Sequence, residues 1–251
     1  MPQEQAHAEP YAEYLIIDPE LAAEAAEIKE NRARFMARFK ELPEEKQKEI
    51  EWAYDLSKES HRPQVRASGE RYFEHPRNVA LILADECGIK EPNLIIAGLL
   101  HDSVEDSPTF GNRTLPRSQW VPTAEYRLTK AFNPEVARMV IGVTKPSVDG
   151  AEITTKEQAH HVYMEGLEAA EAETMLIKMA DRLHNLRTLG AKKPAKQAET
   201  VKETKEVYFP LFKKHVDGER GATVSHLLEL MEHELEKLAS KADDDETPAT
   251  M

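Results

Sequence analysis

Apolar positions recur at three- and four-residue intervals along most of this chain, and no alternation long enough for a strand interrupts them, so the pattern predicts an all-α fold. Leu21, Ala25, Ile28, Phe35 and Phe39 place a first helix between Asp18 and Phe39. Pro43 sits where a second helix begins, since the first position of a helix has no use for an N–H. That helix runs to about Lys58, with Ile50, Ala53, Tyr54 and Ser57 as its inner stripe. His61 to Phe73, with Pro63, Gly69 and several basic side chains, reads as a loop. Pro76 opens the next helix, through Val79, Leu83 and Cys87, and Gly88 stops it. Pro92 opens another, apolar on every side from Leu94 to Leu100, which belongs in a core.

Beyond it, Pro108, Gly111, Pro116 and Pro122 predict a long irregular loop over residues 107–123. Asn133 before Pro134 is a cap and first turn for a helix through Val136, Val140 and Val143. Thr154 with Glu157 has capping-box spacing for the helix carrying Val162, Met164 and Leu167. Further helices are expected over 173–189, 196–212 and 224–238. The expected organisation is a flexible arm (1–17), one helical domain (18–240) with an N-terminal helical extension, and a disordered acidic tail (241–251).

Composition narrows the function. Acidic residues outnumber basic ones, 46 to 33, for a net charge of −13, which argues against binding along a nucleic-acid backbone. No apolar run approaches the roughly 20 residues of a membrane span, and MPQEQAHAEP has no secretory character. A single cysteine, Cys87, excludes an internal disulfide and a cysteine-rich zinc site; a cytoplasmic location is the expectation. Cys87 itself, after a run of aliphatic residues, reads as a small hydrophobe.

Candidate chemistry collects in three places. His101, Asp102, Glu105 and Asp106 follow the apolar helix, and spacings of three and four put them on one side of its continuation. Carboxylates so close to a core repel one another and resist desolvation, which a divalent cation would offset. Taken alone they also fit a helix emerging into water. Lys178, Asp181, Asn185 and Thr188 form a polar stripe between apolar flanks. Taken alone, Asp181 also fits a satisfied buried carboxylate. Pro76 should hold His75 extended just before a helix. Together His75, His101, Asp102 and Asp181 form a set of two imidazoles and two carboxylates. Such a set suits one divalent ion, with Mn²⁺ favoured and Fe²⁺ or Zn²⁺ feasible. Glu105 and Asp106, one turn away, are candidates to orient a water or take its proton.

The adjacent His101-Asp102, the preceding His75 and the distant Asp181 resemble the HD superfamily of metal phosphohydrolases. The closer similarity is to the hydrolase domain of RelA/SpoT-type alarmone enzymes. It rests on Arg66-Ala-Ser-Gly-Glu-Arg-Tyr-Phe-Glu-His-Pro76, on LeuLeuHisAspSerValGluAsp (99–106), and on GlyValThrLys (142–145). Lys178-Met-Ala-Asp-Arg-Leu-His-Asn-Leu-Arg-Thr188 and Glu203-Thr-Lys-Glu-Val-Tyr-Phe-Pro-Leu211 extend it. The match covers roughly residues 48–215, in the family's order.

The resemblance implies metal ligation by His75, His101, Asp102 and Asp181, and handling of the attacking water by Glu105 and Asp106. It implies that Arg66 lies against the nucleotide base, that Asn185 and Thr188 line the ribose and phosphate side, and that Lys178 and Arg182 help neutralise phosphate. It gives Ser68 and Glu70 a role in shaping the loop. The implied activity is metal-dependent removal of the 3′-pyrophosphate of guanosine tetra- or pentaphosphate, leaving GDP or GTP. Two alternatives remain open: a phosphohydrolase for an adenosine alarmone or a nicotinamide dinucleotide 2′-phosphate, and a non-catalytic, metal-stabilised nucleotide-binding regulator. The implied partner is a small-molecule nucleotide. Ala67 and Arg71 depart from the family pattern, in the stretch that faces the base. Residues 107–131 are longer than the family's link, leaving room for a lid or an interface. His160 and His161 read as a solvated face. A stand-alone hydrolase without a nucleotidyl-transfer domain is expected.

Overall fold

The computed structural model describes residues 31–111 and 114–245, with side chains to residue 240. The chain divides into two compact units, Met1–Glu41 and Leu42–Met251, so the boundary falls inside the 18–240 span expected as one domain. The expected arm, residues 1–17, lies outside the described residues. In the first unit, residues 31–36 are helical and lead into a 3₁₀ turn, Ala37–Phe39. The Phe35 and Phe39 rings, one helical turn apart, stand 5.4 Å from each other.

The second unit is all-α. Its helices are α1 (Glu44–Ser60), α2 (Glu74–Leu81), α3 (Pro92–Leu100), α4 (Arg117–Ala131) and α5 (Pro134–Val143). They continue as α6 (Lys156–Glu168), α7 (Ala172–Arg187), α8 (Pro194–Glu203), α9 (Phe209–Lys213) and α10 (Gly221–Asp245). A π turn, Ile82–Glu86, prolongs α2, and another, Thr204–Tyr208, joins α8 to α9. The one pairing of strand type among the described residues is an isolated bridge between Val65 and Arg71.

Helix α3 is the hub. It packs against α1, α2, α5 and α7, and Leu94 to Leu100 are all buried, as a helix apolar on every side must be. Helix α7 is equally enclosed, lying against α2, α5 and α10. His101 and Asp102 directly follow α3 and Asp181 lies on α7, so the core that holds the fold also positions part of the site. No helix among the described residues is long and apolar enough to cross a membrane.

Several expectations are corrected. The C-terminal part of the predicted 107–123 loop, from Arg117 on, is helix: Arg117 opens α4, which tolerates Pro122 and buries Trp120, Ala124 and Leu128 against α5. Pro122 lies inside the helix and removes the N–H that would bond Ser118 O; burial of Trp120, Ala124 and Leu128 holds the helix across that loss, which the helix-breaking reading did not weigh. The acids after α3 are not on a continued helix, because α3 ends at Leu100 and residues 101–106 form successive turns. His75 is not extended before a helix but lies inside the first turn of α2, where Pro76 is tolerated. The cap of α6 is Thr155 rather than Thr154, its hydroxyl accepting from Gln158 N at 3.1 Å. Helix α10 runs through Asp245, into the stretch expected as a disordered tail. Cys87 is half-buried, and burial pushes its thiol up to about 12, in keeping with a non-nucleophilic role.

Other signals hold as read. Gly88 ends the α2 run at φ 69°. Asn133 Oδ1 accepts from Val136 N at 3.0 Å, capping α5, which leads through Thr144 to Lys145 at the site. Asn133→Ala should therefore lower unfolding free energy by about 1 kcal/mol in urea titrations, while Asn133→Asp retains most of it. An alanine variant as stable as the parent would show that the cap contributes nothing.

Candidate metal centre and nucleotide cavity

Three helix-borne segments converge on one point. His75 comes from α2, His101 and Asp102 from the end of α3, and Asp181 from the middle of α7. His75, His101 and Asp181 each present one ligand-type atom, and these atoms lie within 4.8 Å of one another. The two imidazole Nε2 atoms are 3.3 Å apart. His75 Nε2 is 3.1 Å from Asp181 Oδ1 and 3.4 Å from Asp102 Oδ2. His101 Nε2 is 3.2 Å from Asp102 Oδ1. Two imidazole lone pairs and two carboxylates facing one buried point repel unless a cation or protons sit among them. The donor set fits a divalent ion of borderline hardness.

Surrounding contacts fix these groups. His101 Nδ1 lies 2.8 Å from Gly98 O, which can only accept, so the proton of neutral His101 is on Nδ1 and its Nε2 faces the centre. Burial alone would lower the His101 pKa, but Asp102 and Asp181 outweigh it and raise it to about 9. Asp102, desolvated yet flanked by His101 and His75, is held below the usual carboxylate range. Asp181 is held well below it by Lys178, 2.8 Å away, and by His75, against the opposing effect of burial. His184, buried on α7, packs its Nδ1 2.8 Å from His75 Nδ1. Burial first, then the nearby His75 and Arg66, push its pKa down to about 3, so its ring is neutral at pH 7.

Every residue given a metal, catalytic or substrate-binding role from the sequence, except the buried His101, lines one cavity of about 510 Å³. From the metal side outward, Asp181 Oδ1 accepts from Asn185 Nδ2 at 2.6 Å. Asn185 Oδ1 in turn accepts from Arg66 Nη2 at 3.1 Å, and Thr188 Oγ1 lies 3.4 Å from the same nitrogen. Loop 61–73 is thereby tied to α7 at the cavity wall. Ser68 Oγ donates to Glu70 Oε2 at 3.1 Å within that loop. Lys178 Nζ lies 5.4 Å and 5.6 Å from the Tyr163 and Tyr208 ring centroids. Arg182 lays its guanidinium 3.7 Å over the Tyr208 ring and pairs with Glu203 at 3.0 Å.

The two acids assigned to water handling are both engaged. Glu105 Oε2 accepts from Lys145 N at 2.9 Å, and Asp106 Oδ2 receives the Tyr72 hydroxyl at 2.5 Å. The same hydroxyl is 2.9 Å from Asp102 Oδ2. Burial and the two carboxylates raise the Tyr72 pKa, so it remains a donor that ties Asp106 to Asp102. Sequence reading missed Tyr72, Tyr163, Lys145, Lys192 and His184, and gave Tyr208 no role. Tyr72 stands three residues before His75, and His184 three after Asp181; those spacings were the available signal. His161 is exposed and pairs with Glu165, consistent with a solvated face.

Metal-stripped protein should take up about one divalent ion per chain in equilibrium dialysis, and Asp181→Ala should abolish uptake, since it removes a ligand-type oxygen. Stoichiometric uptake by a His101→Ala, Asp181→Ala double variant would contradict the site.

Comparison with known proteins places these residues in a common frame. Residues 53–216 match the family model described as HD domain. A Spiroplasma citri protein named guanosine-3′,5′-bis(diphosphate) 3′-pyrophosphohydrolase is 38% identical over 64% of this chain and 20% of its own length. The bifunctional (p)ppGpp synthase/hydrolase SpoT of Escherichia coli K12 is 35% identical over 68% of this chain and 22% of its own. The chain thus spans about a fifth of the length of these curated relatives. A solved structure of a metazoan ortholog of SpoT, reported to hydrolyse ppGpp, superposes with a TM-score of 0.53 at 25% identity, covering 74% of this chain and 94% of that one. All the residues of the centre and cavity named above fall within residues 53–216, and the chain belongs to the HD domain family.

Proposed function

We propose that this chain is a metal-dependent hydrolase that removes the 3′-pyrophosphate of guanosine tetra- or pentaphosphate, releasing pyrophosphate and GDP or GTP. The observation that carries the reading is the hydrogen-bonded line Asp181–Asn185–Arg66, which joins the metal centre to the loop that would meet a base within one cavity. The relatives named for this activity lend it support over the aligned region.

Mn²⁺ fits the two-imidazole, two-carboxylate set with Asp102 as fourth ligand. A bound divalent ion lowers the pKa of water and offsets charge on a phosphoryl oxygen. Water attacks the phosphorus attached to the ribose 3′ oxygen, an O–P bond forms, and the bond from that phosphorus to the 3′ oxygen breaks. Its electron pair leaves with the 3′ oxygen, which takes up a proton to become the 3′ hydroxyl of GDP or GTP. Glu105 and Asp106 orient this water and accept its proton, with the Tyr72 hydroxyl holding Asp106 in place. Lys178 and Arg182 counter the phosphate charge, and Asn185 and Thr188 line the ribose side. The Arg66 guanidinium stacks on the base, which any purine permits.

Reading guanine against adenine needs hydrogen bonds to the base edge, and exposed Ala67 beside Arg66 has no side-chain donor or acceptor. The guanosine and adenosine 3′-pyrophosphates should differ by about 10-fold or less in kcat/KM, equivalent to about 1.4 kcal/mol. Discrimination beyond a hundredfold would overturn that expectation. Glu105→Gln and Asp106→Asn should keep near-normal metal content while kcat falls about 10²–10⁴-fold. Parental turnover in both variants would remove their role. Product analysis decides the reaction: pyrophosphate and GDP from guanosine tetraphosphate are expected, and no turnover of any 3′-pyrophosphorylated nucleotide by metal-loaded protein would overturn the proposal.

A further inference from the structure

The two imidazoles of the centre are supported in different ways. His101 Nδ1 faces the carbonyl of Gly98 at 2.8 Å, and a carbonyl has no proton to give, so the backbone alone fixes that ring. His75 has no such partner: its Nδ1 meets the Nδ1 of His184, also at 2.8 Å, with the ring centroids 4.8 Å apart. Between two such nitrogens there is room for one proton. If His184 carries it, neutral His75 must hold its own proton on Nε2, pointing at His101 and Asp181, and has no lone pair there to offer a cation. If His75 carries it on Nδ1, its Nε2 lone pair faces the centre.

We propose that His184 is a positioning residue for the metal centre, its Nδ1 accepting the Nδ1–H of His75 so that the Nε2 of His75 is free to ligate. Partners of this kind fix the tautomer and ring orientation of metal-ligating histidines, usually as a carboxylate, carbonyl or water. Here the acceptor is a neutral imidazole. Helix α7 places His184 three residues after Asp181, so one helix supplies a ligand and the support for a second ligand on α2. The His184 ring is buried, and its Nδ1 is committed to the contact with His75. The inference rests on reading His75, His101 and Asp181 as a metal site and is independent of the substrate.

The test is the divalent-ion affinity of metal-stripped protein, measured by chelator competition with Zn²⁺ and Mn²⁺ for the parent, His184→Leu and His184→Asn. Leucine removes the acceptor, whereas the asparagine Oδ1 can take the place of Nδ1. The leucine variant should bind about 10–100-fold more weakly, and asparagine should recover most of that loss. Parental affinity in His184→Leu overturns the proposal, and so does an asparagine variant as weak as leucine. Should the leucine variant not fold, ring ¹⁵N shifts of the Zn²⁺-loaded parent answer the same question. They should show the proton on His75 Nδ1 and none on His184 Nδ1; the reverse overturns the assignment. A parent that binds no ion at all would instead reject the metal site beneath it.

Discussion

Two imidazole nitrogens 3.3 Å apart, with carboxylates of Asp102 and Asp181 closing on them, are the constraint around which this fold is built. Such a cluster is unfavourable in a core unless positive charge is placed at its centre. The structure holds it by drawing each member from an element that cannot move independently. His101 follows the most buried helix, α3; His75 is locked into the first turn of α2; and Asp181 lies in the enclosed middle of α7. Mutual packing of these three helices therefore sets the donor geometry to within the tolerance of side-chain packing.

Charge is organised outward from that point. Although the chain carries a net charge of −13, the cavity wall presents Arg66, Lys178, Arg182 and Lys192. Lys178 serves the centre by pairing with Asp181, and Arg182 is held by Glu203 and the Tyr208 ring. Arg66 is tied to neutral partners, Asn185 and Thr188, and so keeps its charge uncompensated by them. The same wall carries Asp102, Glu105, Asp106, Asp181, Glu199 and Glu203, so the cavity sets cations and carboxylates side by side, and the field in a cleft depends on that lining rather than on the charge of the whole chain.

Elements set by local chemistry were legible in the sequence. The Asn133 cap, the glycine stop at Gly88 and the apolar α3 depend on a few neighbouring residues, and the structure has them where the pattern put them. The cluster around Asp181 was visible for the same reason, since helical spacing brings its members together, and the residues around His101 stood out by their closeness in sequence. What escaped was set by distant partners. Residues 101–106 leave the helix to turn their acids toward Tyr72 and Lys145, contacts 34 and 40 positions away in sequence. His184 meets His75 across 109 positions, and no periodicity announces that. Helix α4 was hidden by Pro122, whose cost is offset by packing of Trp120, Ala124 and Leu128 against α5.

The central claim, a single cation held by two imidazoles, is most directly tested by X-ray absorption at the manganese edge on the stoichiometrically loaded protein. The account predicts a coordination shell whose multiple scattering fits two imidazole rings, falling to one in His75→Ala. A shell of oxygen ligands alone, unchanged by that substitution, would contradict it.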